Sequence, residues 1–96
     1  AFSGYLPVKP HERKAKIKEL EKRSRNGKQS QIFIETPYRN DAMLADILEV
    51  CEASTRVCVA ADITLPSAYI KTRRVQDWRQ NRVTIGKRPC VFILMA

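Results

Sequence analysis

The sequence has few of the residues that build the common catalytic and metal sites. It contains one histidine, three cysteines and three glycines in 96 residues. His11 lies among lysines, where a solvated side chain explains it more simply than a catalytic base. The cysteines are irregularly spaced, which predicts neither a disulfide framework nor a zinc site. We therefore expect no metal site, and no nucleophile with an adjacent base can be identified.

The chain also has no phosphate-binding loop, because it contains neither G-x-G-x-x-G nor a Walker motif. No apolar run is long enough to cross a membrane, and the longest, residues 90–96, has the length of a strand. With no signal peptide or lipidation motif, the unpaired cysteines favour a reducing cytoplasm. The length suits a single small domain. The start at Ala1, without Met, suggests a piece of a longer protein.

What the sequence has in excess is positive charge, with 18 Lys and Arg against 10 Asp and Glu and a net charge of +8. Residues 9–28 contain nine basic and three acidic side chains, and residues 71–88 contain seven and one. The segment between them, residues 29–70, contains two and six. Clustered cations are typical of a nucleic-acid-binding surface, but also of a solvated helix face. Composition leaves both explanations open.

Hydrophobic periodicity predicts alternating strands and helices. A short strand before Pro7 is followed by a helix over residues 10–24, which Asn26-Gly27 would end with a left-handed cap. The thin apolar stripe of this helix would be Ala15, Ile17 and Leu20. Residues 31–35, with the sequence QIFIE, indicate a strand buried on both faces. A second helix, capped by Asn40 or Asp41, would reach about Glu52 with a broad apolar face.

The second half of the chain repeats this pattern. Residues 56–61 are apolar and β-rich, residues 67–71 could form a short edge strand, and Thr72 could cap a brief helix to about Asn81. Residues 89–95 are almost entirely apolar and predict a central strand covered on both sides. The order β-α-β-α-β-β-α-β predicts an α/β fold with a mixed sheet of about five strands and helices packed on it.

The loops that follow two of these strands are the most informative part of the sequence. Both strands end in an acidic residue, a threonine and a proline, at Glu35-Thr36-Pro37 and at residues 62–66. Ligands collect at the carboxyl ends of strands in open α/β sheets, so we expect a site there if the two strands are parallel neighbours. The alternative explanation is helix capping, or an ion pair of Glu35 or Asp62 with Arg39 or Arg56.

Tyr38 and Arg39 follow the first of these strand ends. They could be a packing residue and a surface charge. They could equally be a stacking ring and a phosphate fork at the rim of a site, which are the two side-chain types that RNA binding favours.

Two motifs resemble a known family. They are Phe2-x-Gly4-Tyr5-Leu6-Pro7-x-Lys9, followed by Arg13 and a basic helix, and Ile32-Phe33-Ile34-Glu35-Thr36-Pro37-Tyr38-Arg39. They are similar to F-x-G-F-L-P-x-K and F-Y-E-S-P-H-R in the carboxyl half of the ribosomal RNA small-subunit methyltransferase I family, within the tetrapyrrole methylase superfamily. The likeness extends through Ala60-x-Asp62-x-Thr64, where the family has A-R-E-L-T, to the final strand.

This resemblance implies the carboxyl-terminal domain of a dimeric, two-domain enzyme that binds S-adenosylmethionine in the cleft between its domains. Residues 1–96 would form the second domain alone, since nothing in them resembles the glycine-rich cofactor loop of the first. The residues that would contact the cofactor by similarity are Glu35, Thr36, Asp62, Ile63, Pro89 and Cys90. Those that would contact the substrate are Lys9, Tyr38 and Arg39. No catalytic residue is assigned, and the isolated domain is expected to be inactive.

The implied reaction is methylation of a cytidine ribose 2′-hydroxyl in small-subunit ribosomal RNA, with the basic segments attracting the phosphate backbone. This chain departs from the family at Ile34, Tyr38 and Ala61, where the family has Tyr, His and Arg. The departures leave the substrate open. A methyltransferase of the same fold acting on a tetrapyrrole or another small molecule remains an alternative, as does a stand-alone RNA-binding module.

Overall fold

The computed structural model describes residues 1–96, which form five strands and three α-helices. In chain order these are β1 (Phe2–Tyr5), α1 (Pro10–Gly27), β2 (Gln31–Glu35), α2 (Asn40–Val50), β3 (Arg56–Ala61), β4 (Tyr69–Arg74), α3 (Val75–Gln80) and β5 (Cys90–Met95). A single 3₁₀ turn, Pro37–Arg39, joins β2 to α2. The order of elements and the mixed α/β sheet are as predicted. None of the helices is long and apolar enough to cross a membrane.

The five strands form one sheet in the order β1-β2-β5-β3-β4. β1 and β2 are parallel, whereas β5 is antiparallel to both β2 and β3, and β4 is antiparallel to β3. β2 and β3 therefore run in the same direction with β5 between them. The sequence predicts a site at the ends of these two strands on the condition that they are parallel neighbours. They are parallel, but β5 lies between them, because strand order depends on contacts between distant parts of the chain.

All three helices pack on one face of the sheet. Their buried side chains join a core with the inward-facing residues of β2, β3 and β5, including Phe33, Val59 and Phe92. The rings of Phe33 and Phe92 stack with their centroids 5.7 Å apart. The indole N–H of Trp78 on α3 donates to the carbonyl of Val57 at 2.9 Å, so that the one buried polar atom of this side chain is satisfied.

The opposite face of the sheet carries no helix, and we call it the open face. Its centre consists of Ile32 and Ile34 on β2 and Val91, Ile93 and Met95 on β5, all of them only partly buried. The prediction that β2 and β5 are covered on both sides is therefore wrong for this chain. Burial alternates along both strands, although apolar residues occupy nearly every position.

The inner side of α1 is more polar than its sequence suggests. Arg13, Glu21 and Ser24 are buried beside Ile17 and Leu20, whereas Ala15, predicted to face the core, is exposed. Arg13 Nε donates to Asp46 Oδ2 on α2 at 2.5 Å. Oε2 of Glu21 accepts the Thr55 hydroxyl at 2.5 Å and the Glu52 N–H at 2.8 Å. These charges are tolerated inside because each has a partner.

The caps observed at the end of α1 and at the start of α2 differ from the predicted ones. α1 continues through Gly27, and Lys28 takes the left-handed conformation with φ 50°. At α2 neither Asn40 nor Asp41 caps the helix, because the chain enters it directly from the 3₁₀ turn. Instead the Asp41 carboxylate accepts the N–H groups of Ile85 and Gly86, at 2.7 and 3.0 Å. It thereby fixes the loop before β5.

The start of the last helix was also predicted too early. Thr72 lies within β4, paired with Cys58, and does not cap a helix. β4 begins at Tyr69 and continues to Arg74, which pairs with Arg56 at the far end of β3. α3 begins at Val75. Strand pairing along the whole length of β3 overrides the local helix signal.

Candidate functional site

Three chain segments meet at one edge of the sheet. Cys90, the first residue of β5, is paired with Glu35, the last residue of β2, and also with Ala61, the last residue of β3. Because β5 is antiparallel to both neighbours, its beginning lies between their ends. The loops after β2 and β3 and the loop before β5 are thereby brought side by side. They lie at the carboxyl ends of β2 and β3, where α/β sheets bind ligands.

These segments enclose a cavity of about 440 Å³, a volume typical of small-molecule sites. Five of the six residues predicted to contact the cofactor line it: Glu35, Asp62, Ile63, Pro89 and Cys90. Thr36, the sixth, is not part of the lining. The other six lining residues were not predicted to contact the cofactor: Tyr5, Ile34, Pro37, Thr64, Leu65 and Val91. Ile34 and Val91 also belong to the open face, so the cavity is the end of that surface.

Glu35 is the more deeply buried of the two carboxylates in the cavity wall, with 3% of its side chain exposed against 7% for Asp62. Oε1 accepts the N–H of Thr36 at 2.7 Å and lies 3.3 Å from Nε of Arg39. Oε2 lies 3.9 Å from a guanidinium nitrogen of Arg13 and has no hydrogen-bond partner. The ion pair with Arg39, raised from the sequence as an alternative role, is present. It occupies one carboxylate oxygen and leaves the other unsatisfied.

Asp62 is held by its backbone as well as by its side chain. Its φ of 51° is left-handed, a conformation that Asp tolerates better than most residues. Its N–H donates to the carbonyl of Pro89 at 3.0 Å, and its Oδ2 accepts the Ser67 hydroxyl at 3.1 Å. Its ion-pair partner is Arg88, at 3.8 Å. Arg56, suggested as the partner from the sequence, lies at the other end of β3.

Cys90 contributes an apolar surface to the cavity and no reactive thiolate. Burial raises the pKa of its thiol to about 12, so the thiol is protonated near neutral pH. Cys51 and Cys58 are free and buried as well. His11 is exposed, and no three His, Cys, Asp or Glu side chains come together as a metal-binding group.

The three residues predicted to contact the substrate lie outside the cavity lining. Tyr38 is 79% exposed, and the Lys87 ammonium lies 4.9 Å from its ring centroid. Arg39 is committed to Glu35. Lys9 is exposed immediately before α1. Lys87 was missed from the sequence because it is separated from Tyr38 by most of the second half of the chain.

The basic segment on α1 is only partly free. Of the nine cations in residues 9–28, five have carboxylate partners: Arg13, Lys14, Lys16, Arg23 and Arg25. A hydrogen bond to Glu49 raises the pKa of Lys14, which keeps that side chain charged. The four without an ion pair are Lys9, Lys18, Lys22 and Lys28, and all of them are exposed. Any polyanion site on this helix therefore depends on these four.

Comparison with known proteins supports the assignment of the fold. No family model matches the sequence. Ribosomal RNA small subunit methyltransferase I from Vibrio cholerae is 38% identical over 64 residues, which cover 67% of this chain and 21% of that protein. The crystal structure of the methyltransferase CobJ superimposes on 99% of this chain with a TM-score of 0.56 and 18% identity, and 40% of its own chain is covered. Uroporphyrin-III C-methyl transferase from Thermus thermophilus, complexed with S-adenyl homocysteine, gives a TM-score of 0.47 and 12% identity over 69% of the chain.

The chain thus spans about a fifth of the length of its curated relative and less than half of CobJ. The five-stranded mixed sheet with its helices is that of a tetrapyrrole methylase-like domain, and the resemblance inferred from the sequence motifs is confirmed.

Proposed function

We propose that this tetrapyrrole methylase-like domain is the carboxyl-terminal half of a methyltransferase, and that its cavity is one wall of an S-adenosylmethionine cleft. One observation carries the proposal. The ends of β2 and β3 and the beginning of β5 meet in a single cavity lined by Glu35, Asp62, Ile63, Pro89 and Cys90. A second domain, outside residues 1–96, would supply the other wall.

The residues of the cavity suit this cofactor chemically. Its lining is mainly apolar, as an adenosine group requires, and the carboxylates of Glu35 and Asp62 could accept hydrogen bonds from its hydroxyl and amino groups. Glu35 Oε2 is buried without a hydrogen-bond partner, which is costly unless a bound group or a small movement satisfies it. When bound, the cofactor would supply an electrophilic methyl group.

The role of this chain in the reaction would be to position the reactants and to exclude water from them. Ion pairs with Arg13 and Arg39 orient the carboxylate of Glu35, and the left-handed backbone of Asp62 directs the loop after β3 along the cavity. Ile63 and Leu65 are half exposed there and would become covered in the complete cleft. Holding the two reactants in line provides much of the rate of such a transfer. A domain that forms only one wall would be inactive alone.

For the substrate we propose small-subunit ribosomal RNA, methylated at a cytidine ribose 2′-hydroxyl. The name of the Vibrio cholerae relative supports this choice, as does the resemblance of the two sequence motifs to that family. So do the four unpaired lysines of the α1 segment and the exposed ring of Tyr38, which suit a phosphate backbone and a stacked base. By the same resemblance the enzyme would be a cytoplasmic homodimer. Its buried free cysteines suit a reducing compartment.

A methylation assay tests the proposal. The protein encoded by the complete reading frame should transfer labelled methyl groups from S-adenosylmethionine to small-subunit RNA, and not to porphyrinoid precursors. Residues 1–96 alone should transfer none. Transfer to a porphyrinoid would retain the fold and the cofactor but replace the substrate. Transfer by the isolated chain would contradict the proposal that this cavity is half of a site.

A further inference from the structure

A tyrosine that was predicted to contact neither cofactor nor substrate is directed into the cavity by an irregularity in β1. Phe2 pairs with Ile32 and Tyr5 pairs with Ile34, so β1 advances three residues where β2 advances two. The extra residue is a β-bulge, and it turns every side chain after it to the opposite face of the sheet. Tyr5 thereby lies on the open face with its partner Ile34, and both residues line the cavity.

Gly4 makes the bulge possible. Its φ of 65° is left-handed, a conformation that glycine adopts without strain. Space is not the reason for glycine at this position, because a β-carbon would lie 3.9 Å from the nearest atom, in the Phe2 ring, which is an ordinary contact. Bulges are rare between parallel strands and frequent next to active sites, where they redirect a side chain. The bulge in β1 therefore points to a role for Tyr5 in the site.

The residue after Tyr5 fixes the direction of its ring. Leu6 is 5% exposed and belongs to the core on the helix side of the sheet. Because successive side chains of a strand point to opposite faces, Tyr5 must point away from the helices. Tyr5 is not part of the core, and 65% of the residue is exposed. The ring thus lies in the cavity without serving the packing of this chain, so it is available to a ligand.

The position of Tyr5 separates it from the residues proposed to bind the cofactor. Those residues lie on β2, on β5 and in the loops beside them, whereas β1 is the edge strand on the far side of β2. Three strand spacings of about 4.8 Å, roughly 14 Å in all, separate β1 from β3. Tyr5 is therefore at the end of the cavity away from Asp62 and Ile63. It lies on the side of Pro37, which begins the turn that carries Tyr38.

We infer that the Tyr5 ring stacks on the base of the nucleotide that is methylated, an inference that rests on the proposed RNA methyltransferase function. Unstacked RNA bases bind to aromatic side chains through their flat faces. Because the base is attached to the carbon next to the accepting 2′-hydroxyl, it must enter the same cleft as the cofactor. Tyr5 is the only aromatic side chain in the cavity lining, and Tyr38 lies outside it. Stacking is tolerant of base identity, so Tyr5 provides affinity and position and does not select cytidine.

Steady-state methylation of small-subunit RNA by the complete protein tests the inference. Tyr5→Leu keeps an apolar side chain but removes the ring, and should raise the KM for RNA roughly tenfold, as the loss of one stacked base predicts. Tyr5→Phe keeps the ring and should retain the KM of the unaltered protein. Phe2→Leu is the matched control and should also change nothing. Phe2 is 67% exposed on the same strand and the same face, but it lies outside the cavity lining.

Titration of the same variants with S-adenosylhomocysteine distinguishes the base from the cofactor. Tyr5→Leu should bind it as the unaltered protein does, and a loss of affinity would assign the ring to the adenine and overturn the inference. A KM for RNA that is the same in Tyr5→Leu and Phe2→Leu would also overturn it. In both cases the unaltered protein still methylates RNA, so the proposed function stands. If the unaltered protein transfers no methyl group to RNA, the proposed function itself fails, and the inference fails with it.

Discussion

The N–H of Asp62 donates to the carbonyl of Pro89 at 3.0 Å, which fastens the residue after β3 to the residue before β5. This bond lies at the edge of the sheet where the cavity opens. It fixes two of the three loops relative to each other, and Asp62 adopts its left-handed conformation at that point. The shape of the cavity therefore depends on a backbone conformation as much as on side chains.

Replacement of Asp62 by valine should destabilise the protein more than replacement by asparagine. A β-branched residue at φ 51° costs roughly 1–2 kcal/mol in backbone strain, whereas asparagine tolerates this conformation. Urea denaturation of the two variants measures the difference. Because both substitutions remove the charge beside Arg88, charge loss cannot explain a difference between them. Equal free energies of unfolding would show that the left-handed backbone at Asp62 is not a constraint.

Arg13→Met should be among the most damaging substitutions on α1. It leaves the carboxylate of Asp46 without its partner inside the protein and removes one of two cations near Glu35. The expected loss is about 3–5 kcal/mol of unfolding free energy. Lys14→Met removes an adjacent cation whose partner, Glu49, is exposed, and should cost far less.

The double variant Arg13→Met with Asp46→Leu separates charge from packing. It should be more stable than Arg13→Met alone, because it no longer contains the Asp46 carboxylate without a partner. Urea denaturation again provides the comparison. If Arg13→Met costs no more than Lys14→Met, the buried pair is unimportant for stability.

The buried thiols should make stability fall at alkaline pH. Burial raises the pKa of Cys90 from its ordinary value of 9.0 to about 12, and burial together with Glu21 raises that of Cys51 further. The folded state thus keeps protons that the unfolded chain loses. The resulting stabilisation is complete below pH 9.0 and disappears as pH rises toward about 12.

Cys90→Ala isolates this effect from the titration of lysine and tyrosine. Unfolding free energies of the unaltered chain and of Cys90→Ala, measured by urea denaturation at neutral pH and at about pH 10.5, give the comparison. The alkaline loss should be smaller in the variant. An identical loss in both proteins would mean that the Cys90 thiol ionises normally in the folded state.

RNA binding by the complete protein should depend on the unpaired cations of α1. Lys18→Glu with Lys22→Glu should weaken binding and reduce the slope of log affinity against log salt by about two, one for each phosphate that the helix no longer neutralises. Arg56→Glu with Arg74→Glu changes the net charge equally on the opposite side of the sheet and is the control. Filter binding over a range of salt measures both. Equal losses of RNA affinity in the two double variants would show that the helix contributes to binding only through the net charge.

The sequence located most of the residues that line the cavity because they lie close to the ends of regular elements. The apolar run of β2 and its abrupt end at Glu35, and the similar end of β3 before Asp62, identified two strand ends. The family resemblance added Pro89 and Cys90. Strand order then brought these segments together, which periodicity alone could not show, because it carries no information on which strands are neighbours.

The sequence could not reveal which charged side chains form ion pairs, or which faces of the sheet are covered by helices. Nothing local distinguishes Arg13, which is buried against Asp46, from the exposed Lys18 on the same helix. Continuous apolar residues in β5 correctly indicated a central strand. They wrongly suggested that this chain covers both of its faces, whereas the outward residues of β5 are only partly buried.

Calorimetric titration of the complete protein with S-adenosylhomocysteine tests the central claim most directly. Ile63 lines the cavity and is 52% exposed, whereas Val8 is 58% exposed and lies outside the lining. Ile63→Glu places a charge in the proposed cleft and should weaken binding at least roughly tenfold, while Val8→Glu should bind as the unaltered protein does. Unchanged affinity in a folded Ile63→Glu protein would contradict the account, because the cavity at the strand ends would then not be the wall of the cofactor site.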